Sequence, residues 1–117
     1  MVFYEKLEDT YADYPDAASK NAAKALFWIK KYGRDVVQAG TLIGLARANQ
    51  LAKSEGVSLD TIKRMAAFNR HRENSEISQE FKGTPWKDKG YVAWLMWGGD
   101  EGVDWAIRKL KQLEDNG

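Results

Sequence analysis

Apolar residues recur along most of this chain at the spacing of a helix rather than that of a strand. Ala18, Ala22, Ala25, Ile29 and Tyr32 fall on one stripe, widened by Leu26 and Trp28, which is the 3.6-residue pattern of a helix packed on a core. The stripe starts after Asp13-Tyr14-Pro15-Asp16 and stops at Gly33. Proline suits a first helical turn, where its missing N–H has no partner anyway, and Asp16 favours the positive end of the dipole. A first helix is therefore predicted over 13–33. Leu42, Leu45, Ala46, Ala48, Leu51 and Ala52 carry a second over 41–55, with Gly56 as a left-handed terminator. Ser58 caps a third over 58–72, whose apolar positions are Leu59, Ile62, Met65, Ala66 and Phe68. Asp60 stands near its N-terminal end and Arg70, His71 and Arg72 near its C-terminal end, as the helix dipole prefers.

The pattern fades over 73–89, a polar stretch longer than most connections in compact domains. Its Phe81 and Trp86 read as anchors to the core, because aromatic rings carry the largest burial energies; the other reading is exposed rings that meet a partner. Tyr91, Val92, Trp94, Leu95 and Trp97 then form a short apolar helix over 90–97, ended by Gly98-Gly99. Asp100 caps a last helix over 100–114, with Val103, Ala106, Leu110 and Leu113 at heptad-like spacing and Trp105 and Ile107 beside them. No β-hairpin signal, internal repeat or low-complexity tract interrupts this order. The expectation is an all-α, compact five-helix domain with a helix-turn-helix-like central pair, a single domain spanning 1–117.

Composition narrows the chemistry. At 117 residues and 13.3 kDa the chain builds one core. With no cysteine and one histidine, disulfides, thiol nucleophiles, iron–sulfur clusters and multi-histidine metal sites are excluded, and no cofactor is implied. No apolar run has membrane-spanning length, so no membrane partner is expected. Residues 1–6 lack the pattern of a secretory signal, which makes the cytosol the default. The net charge of +1 hides a gradient. Residues 30–72 carry nine basic and three acidic groups between two acidic flanks, and charges act over only about 8 Å at physiological salt.

That basic middle coincides with the most specific local arrangement, a helix, a short turn over Lys53-Ser54-Glu55-Gly56-Val57-Ser58, and a second helix. In a helix-turn-helix the second helix enters the major groove of DNA and the first crosses the backbone. Arg47, Lys53, Lys63, Arg64, Arg70 and Arg72 are then phosphate contacts, and Thr61, Asn69 and His71 polar contacts to base or phosphate. Leu51, Val57, Ile62 and Met65 would hold the two helices together. The competing reading is an ordinary helical corner with solvated charges. His71, between two arginines, reads as a helix-end or phosphate contact rather than a base, since no nucleophile is tied to it by a motif.

The remaining motifs carry less. Asp100, Glu101 and Asp104 cluster at a helix start, where acids are expected for capping alone, so they are a poor magnesium site. Trp97-Gly98-Gly99-Asp100-Glu101-Gly102 invites a phosphate-loop reading, but it lacks Gly-Lys-Ser/Thr and a preceding strand, and its acids would repel phosphate. A sharp turn between two helices accounts for it better, with Gly102 permitting close approach.

Four strings together resemble a known family: Tyr14-Pro15-Asp16-Ala17-Ala18 with Asn21 to Leu26; Gly40-Thr41-Leu42-Ile43-Gly44-Leu45-Ala46-Arg47-Ala48-Asn49-Gln50-Leu51-Ala52; Ser58 with Thr61 to His71; and Trp97 to Gly102 with Trp105-Ala106 and Lys109-Leu110. This succession, covering 13–113, is similar to a small helical domain of tailed phages and prophages. That domain occurs alone or attached to head-assembly proteins such as prohead serine proteases of the PBSX-like type. The resemblance implies phage origin and residence in the host cytoplasm or the virion; it brings no assigned activity and no catalytic residues. Related sequences often carry cysteine just before the Gly-Thr and ahead of the Trp-Gly-Gly, whereas this chain has Ala39 and no cysteine. Three functions stay open: a non-enzymatic module binding DNA or RNA through the basic helix pair, a module docking a phage or host protein, and a small phage hydrolase. The first is favoured, because the basic charge and the recognition-type motif coincide. Oligomeric state is not legible.

Overall fold

The alanine stripe builds α1 (Asp16–Tyr32), and Ala18, Ala22 and Ala25 are fully buried. Small side chains on that face let neighbouring helices approach its axis closely. Pro15 sits at the cap position, one step before the first turn, and Gly33 ends the helix with φ +84° while its N–H bonds to the Ile29 carbonyl. The computed structural model describes residues 9–116, and the reading of residues 1–6 lies outside them. Four further helices follow: α2 (Leu42–Ala52), α3 (Leu59–Ala67), α4 (Lys89–Met96) and α5 (Gly99–Asn116). The fold is the all-α, five-helix class that the periodicity implies.

A small sheet joins two connections. β1 (Thr10–Tyr11) pairs antiparallel with β2 (Val57–Ser58), Thr10 opposite Ser58 and Tyr11 opposite Val57. Strands of two residues are too short to show a period-two pattern, which is why no strand was expected. The same pairing explains Gly56, where an added Cβ would fall 2.5 Å from the Thr10 hydroxyl oxygen. Gly56 is therefore kept for space and not as a left-handed terminator; the left-handed residue of this turn is Ser54, at φ +57°. Tyr14 donates to the Glu55 carbonyl at 2.6 Å and Gln50 to the Gly56 carbonyl at 3.1 Å, so the turn is held from both sides.

α1 packs on α2, α4 and α5, while α3 takes α5 as its main partner. Leu51, Val57, Ile62 and Met65 are fully buried in one shared core. The central helices thus meet through that core at the turn, and their far portions lean on different neighbours.

α3 stops at Ala67, short of the predicted Arg72, and the chain continues as a 3-10 helix, Phe68–Ser75, that contains no buried residue. From Asn69 to Ser75 there is no apolar side chain to bury, so packing does not hold this stretch in the wider helix. Two 3-10 turns, Gln79–Phe81 and Pro85–Lys87, organise the polar stretch. Trp86 stacks on Tyr32 at 4.3 Å and meets the Trp28 edge at 6.4 Å. Asp88 caps α4 through the Tyr91 amide and also accepts from the Ser78 amide and hydroxyl. Burial pushes its carboxyl up, but these hydrogen bonds outweigh it and hold Asp88 below the usual carboxylate range.

α4 and α5 are joined by Gly98 and Gly99, both at positive φ. A Cβ on Gly98 would lie 2.8 Å from the Gly102 backbone, so the turn needs glycine for conformation and for space. Asp100 does not cap α5 from outside. The helix begins one residue earlier, and the Asp100 carboxylate accepts from the Trp94 indole at 2.8 Å. Trp94, only 1% exposed, is the pillar of this end of the core.

Candidate nucleic-acid interface

α2 and α3 flank a cleft of about 320 Å³. Thr41 and Ile43 line it from the start of α2, and Arg64 and Ala67 from α3. Phe68 and Arg70 follow from the 3-10 helix, and Ala93 and Trp97 from α4. Thr41 fixes the α2 end by accepting from the Gly44 amide at 3.1 Å. The lining is chiefly apolar, with Arg64 and Arg70 as its charged groups.

Near-parallel rings stand beneath it. Phe68 lies between Trp94, at 6.0 Å, and Trp97, at 5.2 Å. Guanidinium groups lie over the two tryptophans, Arg72 over Trp94 and Arg47 over Trp97, each at 5.3 Å from the ring centre. Cation–π contacts of this kind favour arginine over lysine. The His71 ring meets Phe68 edge-on at 5.0 Å.

The sequence-predicted contacts divide sharply. Lys53, Lys63, Arg64, Asn69 and Arg70 are exposed. Arg64 pairs with Asp60 at 3.1 Å, but both side chains are more than half exposed, and such pairs contribute about 0–1 kcal/mol and exchange readily. Arg70 donates to the Ala67 carbonyl, closing the end of α3.

Thr61 is corrected outright. It is 7% exposed, its amide donates to the Ser58 hydroxyl, and its own hydroxyl accepts from Ser58. It belongs to the α3 cap and cannot reach a base. Arg72 is also redirected, since it is ion-paired with Asp104, bonded to Asn69 and placed over Trp94, which fastens the 3-10 helix to α5. Asn69, although exposed, spends its carbonyl oxygen on Arg72. His71 is half-buried at a non-helical kink, and Lys53 stands in the turn at the other end of α2.

Arg47 is only partly exposed. It donates to the Gln50 side chain, and its Nε is enclosed without a partner. Burial and then the neighbouring Arg64 charge push its guanidinium pKa down, with Asp60 opposing. The Arg47 and Arg64 charges thus oppose one another, and the exposed Asp60 carboxylate, paired with Arg64, offsets them in part.

Two exposed apolar residues at the start of α2 escaped the sequence reading, and one of them, Ile43, lines the cleft. Leu42, expected on the apolar stripe of α2, is 85% exposed, and Ile43 is 52% exposed. A signal was present: Leu42-Ile43 are adjacent, so one helix face cannot bury both. Among the described residues no three His, Cys, Asp or Glu side chains are placed to hold a metal ion, and no helix is long and apolar enough to cross a membrane. Comparison with known proteins finds no matching family model, no matching curated protein and no matching solved structure.

Proposed function

We propose that this chain is a non-enzymatic nucleic-acid-binding module that works through the α2–α3 cleft and the exposed cations around it. One observation carries the reading: Arg64 and Arg70 line the same cleft, with Arg47 close enough to Arg64 for their charges to oppose each other. Gathering like charges costs free energy in the isolated protein, and a polyanion that replaces counterions on them recovers it. Lys63 and Lys53 lie exposed outside the cleft, which favours a ligand that extends past the pocket over a small anion. The phage-domain resemblance sets this event in the virion or the infected host.

The test is the salt dependence of binding by the whole chain to a labelled oligonucleotide. Lys63→Ala and Arg64→Ala are each expected to flatten the slope of log K against log salt by about one unit. A slope unchanged by both substitutions contradicts the proposal.

A further inference from the structure

We infer that the cleft takes an unpaired nucleotide, so that the module prefers single-stranded nucleic acid to duplex. This rests on the nucleic-acid reading above and adds to it the state of the strand. A protein that reads duplex DNA presents a convex element to a groove, usually the first turns of a recognition helix. Here the corresponding turn of α3 offers Leu59 and the acidic Asp60 to solvent, while Thr61 is buried in the cap. The first turn itself therefore offers no donor to a base edge, and the nearest exposed donors, Lys63 and Arg64, stand one turn further on, with Asp60 paired to Arg64.

The feature between the helices is concave instead. Something must protrude into it, and in a duplex the bases are hidden in the stack, whereas an unpaired base is free to enter. The lining matches that ligand in both its parts. Ile43, Ala67, Ala93 and the cleft side of Trp97 provide an apolar wall for a flat base, and Arg64 and Arg70 provide charge for the phosphates on either side of it. Leu42 and Ile43 extend the apolar surface to the outside, where a neighbouring base of the same strand would lie. Single-strand binders combine a cationic track with apolar or aromatic platforms in this way, and tolerate sequence because every base offers an apolar face. An amphipathic peptide helix needs anchors at i, i+3 or i+4, and i+7, spread over about 10 Å of groove; this compact cleft, at the small end of ligand pockets, holds one group.

The experiment is fluorescence anisotropy of the full chain with a labelled 15-nucleotide strand, the same sequence as duplex, and a mononucleotide competitor, at one fixed low salt concentration. The single strand should bind at least about tenfold more tightly than the duplex. Ala67→Trp, which fills the cleft from an exposed position, should remove most of that preference and leave the weaker duplex binding in place. Ile43→Ser should weaken single-strand binding by a few-fold with the helical circular dichroism unchanged, which keeps the test valid if Ala67→Trp fails to fold. Equal affinity for both forms, unaffected by either substitution, overturns the inference and leaves the nucleic-acid reading standing. Binding to neither form overturns both. A mononucleotide that competes as well as the strand assigns the cleft to free nucleotides and overturns the strand preference.

Discussion

Two aromatic regions of this molecule are built from the same kinds of side chain and end in opposite states. On one side of α1, Trp86 from the polar stretch stacks on Tyr32 and meets the edge of Trp28, which is also tilted against Tyr91 at 6.2 Å. On the other side of α4, Trp94, Phe68 and Trp97 stack beneath a cleft that stays open between α2 and α3. Lysines decorate the first region, Lys24 over Trp28 and Lys31 over Tyr32, while arginines attend the second. Ring and cation content therefore does not separate a structural cluster from a binding surface. What separates them is the space beside the rings: 3-10 turns and the Asp88 clamp bring Trp86 down on the first, while α2 and α3 lean on different helices and leave a cleft along the half-buried Phe68 and Trp97 of the second.

The comparison breaks most severely where a core pillar is removed. Trp94→Ala should cost about 3–5 kcal/mol in chemical denaturation, since the ring is almost wholly buried and supports both Phe68 and Asp100. Trp86→Ala should cost less, about 2 kcal/mol, because that ring is half-buried. It should leave oligonucleotide affinity unchanged, and a parallel loss of binding would erase the distinction between the two regions. Gly98→Ala should cost about 1–3 kcal/mol, through positive φ and contact with the Gly102 backbone.

The opposite pattern is expected at the cleft. Arg70→Ala should change stability by no more than about 0.5 kcal/mol, as an exposed side chain away from the core does, while weakening oligonucleotide binding several-fold. The smallest effect concerns acid. Asp13, held below the usual carboxylate range first by its hydrogen bond to Lys109 at 2.9 Å, and Asp88, held low by the Ser78 and Tyr91 bonds, have lower pKa values folded than unfolded. Their contribution to stability is complete above the ordinary carboxylate pKa of about 4 and is lost as pH falls through the lower, folded value. The melting temperature should decline over that window, and Asp88→Asn should make the decline shallower while lowering stability at neutral pH.

The helices were legible because burial follows the stripes: Ala18, Ala22 and Ala25 from α1 and Ile62 and Met65 from α3 are all fully buried. Their ends were less so. Beyond Phe68 only charge placement extends the third helix to Arg72, and charges near a helix end add little when no apolar residue from Asn69 onward gives that turn a packed face. At the site, the exposed cations Lys63, Arg64 and Arg70 could be read from their positions. Thr61 could have been set aside from the sequence as well, since a threonine three residues after a capping serine lies within reach of the cap itself. Arg72 could not, because its partner Asp104 lies on a helix that only the tertiary fold brings near. The cleft was illegible for the same reason. It exists because α2 packs on α1 and α3 on α5, and no periodicity along the chain records which neighbour a helix will choose.

The central claim is that the open region, not the closed one, is the binding surface. Titrating an unlabelled single-stranded oligonucleotide into isotope-labelled protein and following backbone amide and tryptophan indole resonances by NMR tests it most directly. Shifts are predicted to concentrate at Thr41 to Ile43, Arg64 to Arg70, Ala93 and Trp97, with the Trp86 indole still. Shifts centred on Trp86 and Tyr32, or none at saturating oligonucleotide, would contradict it.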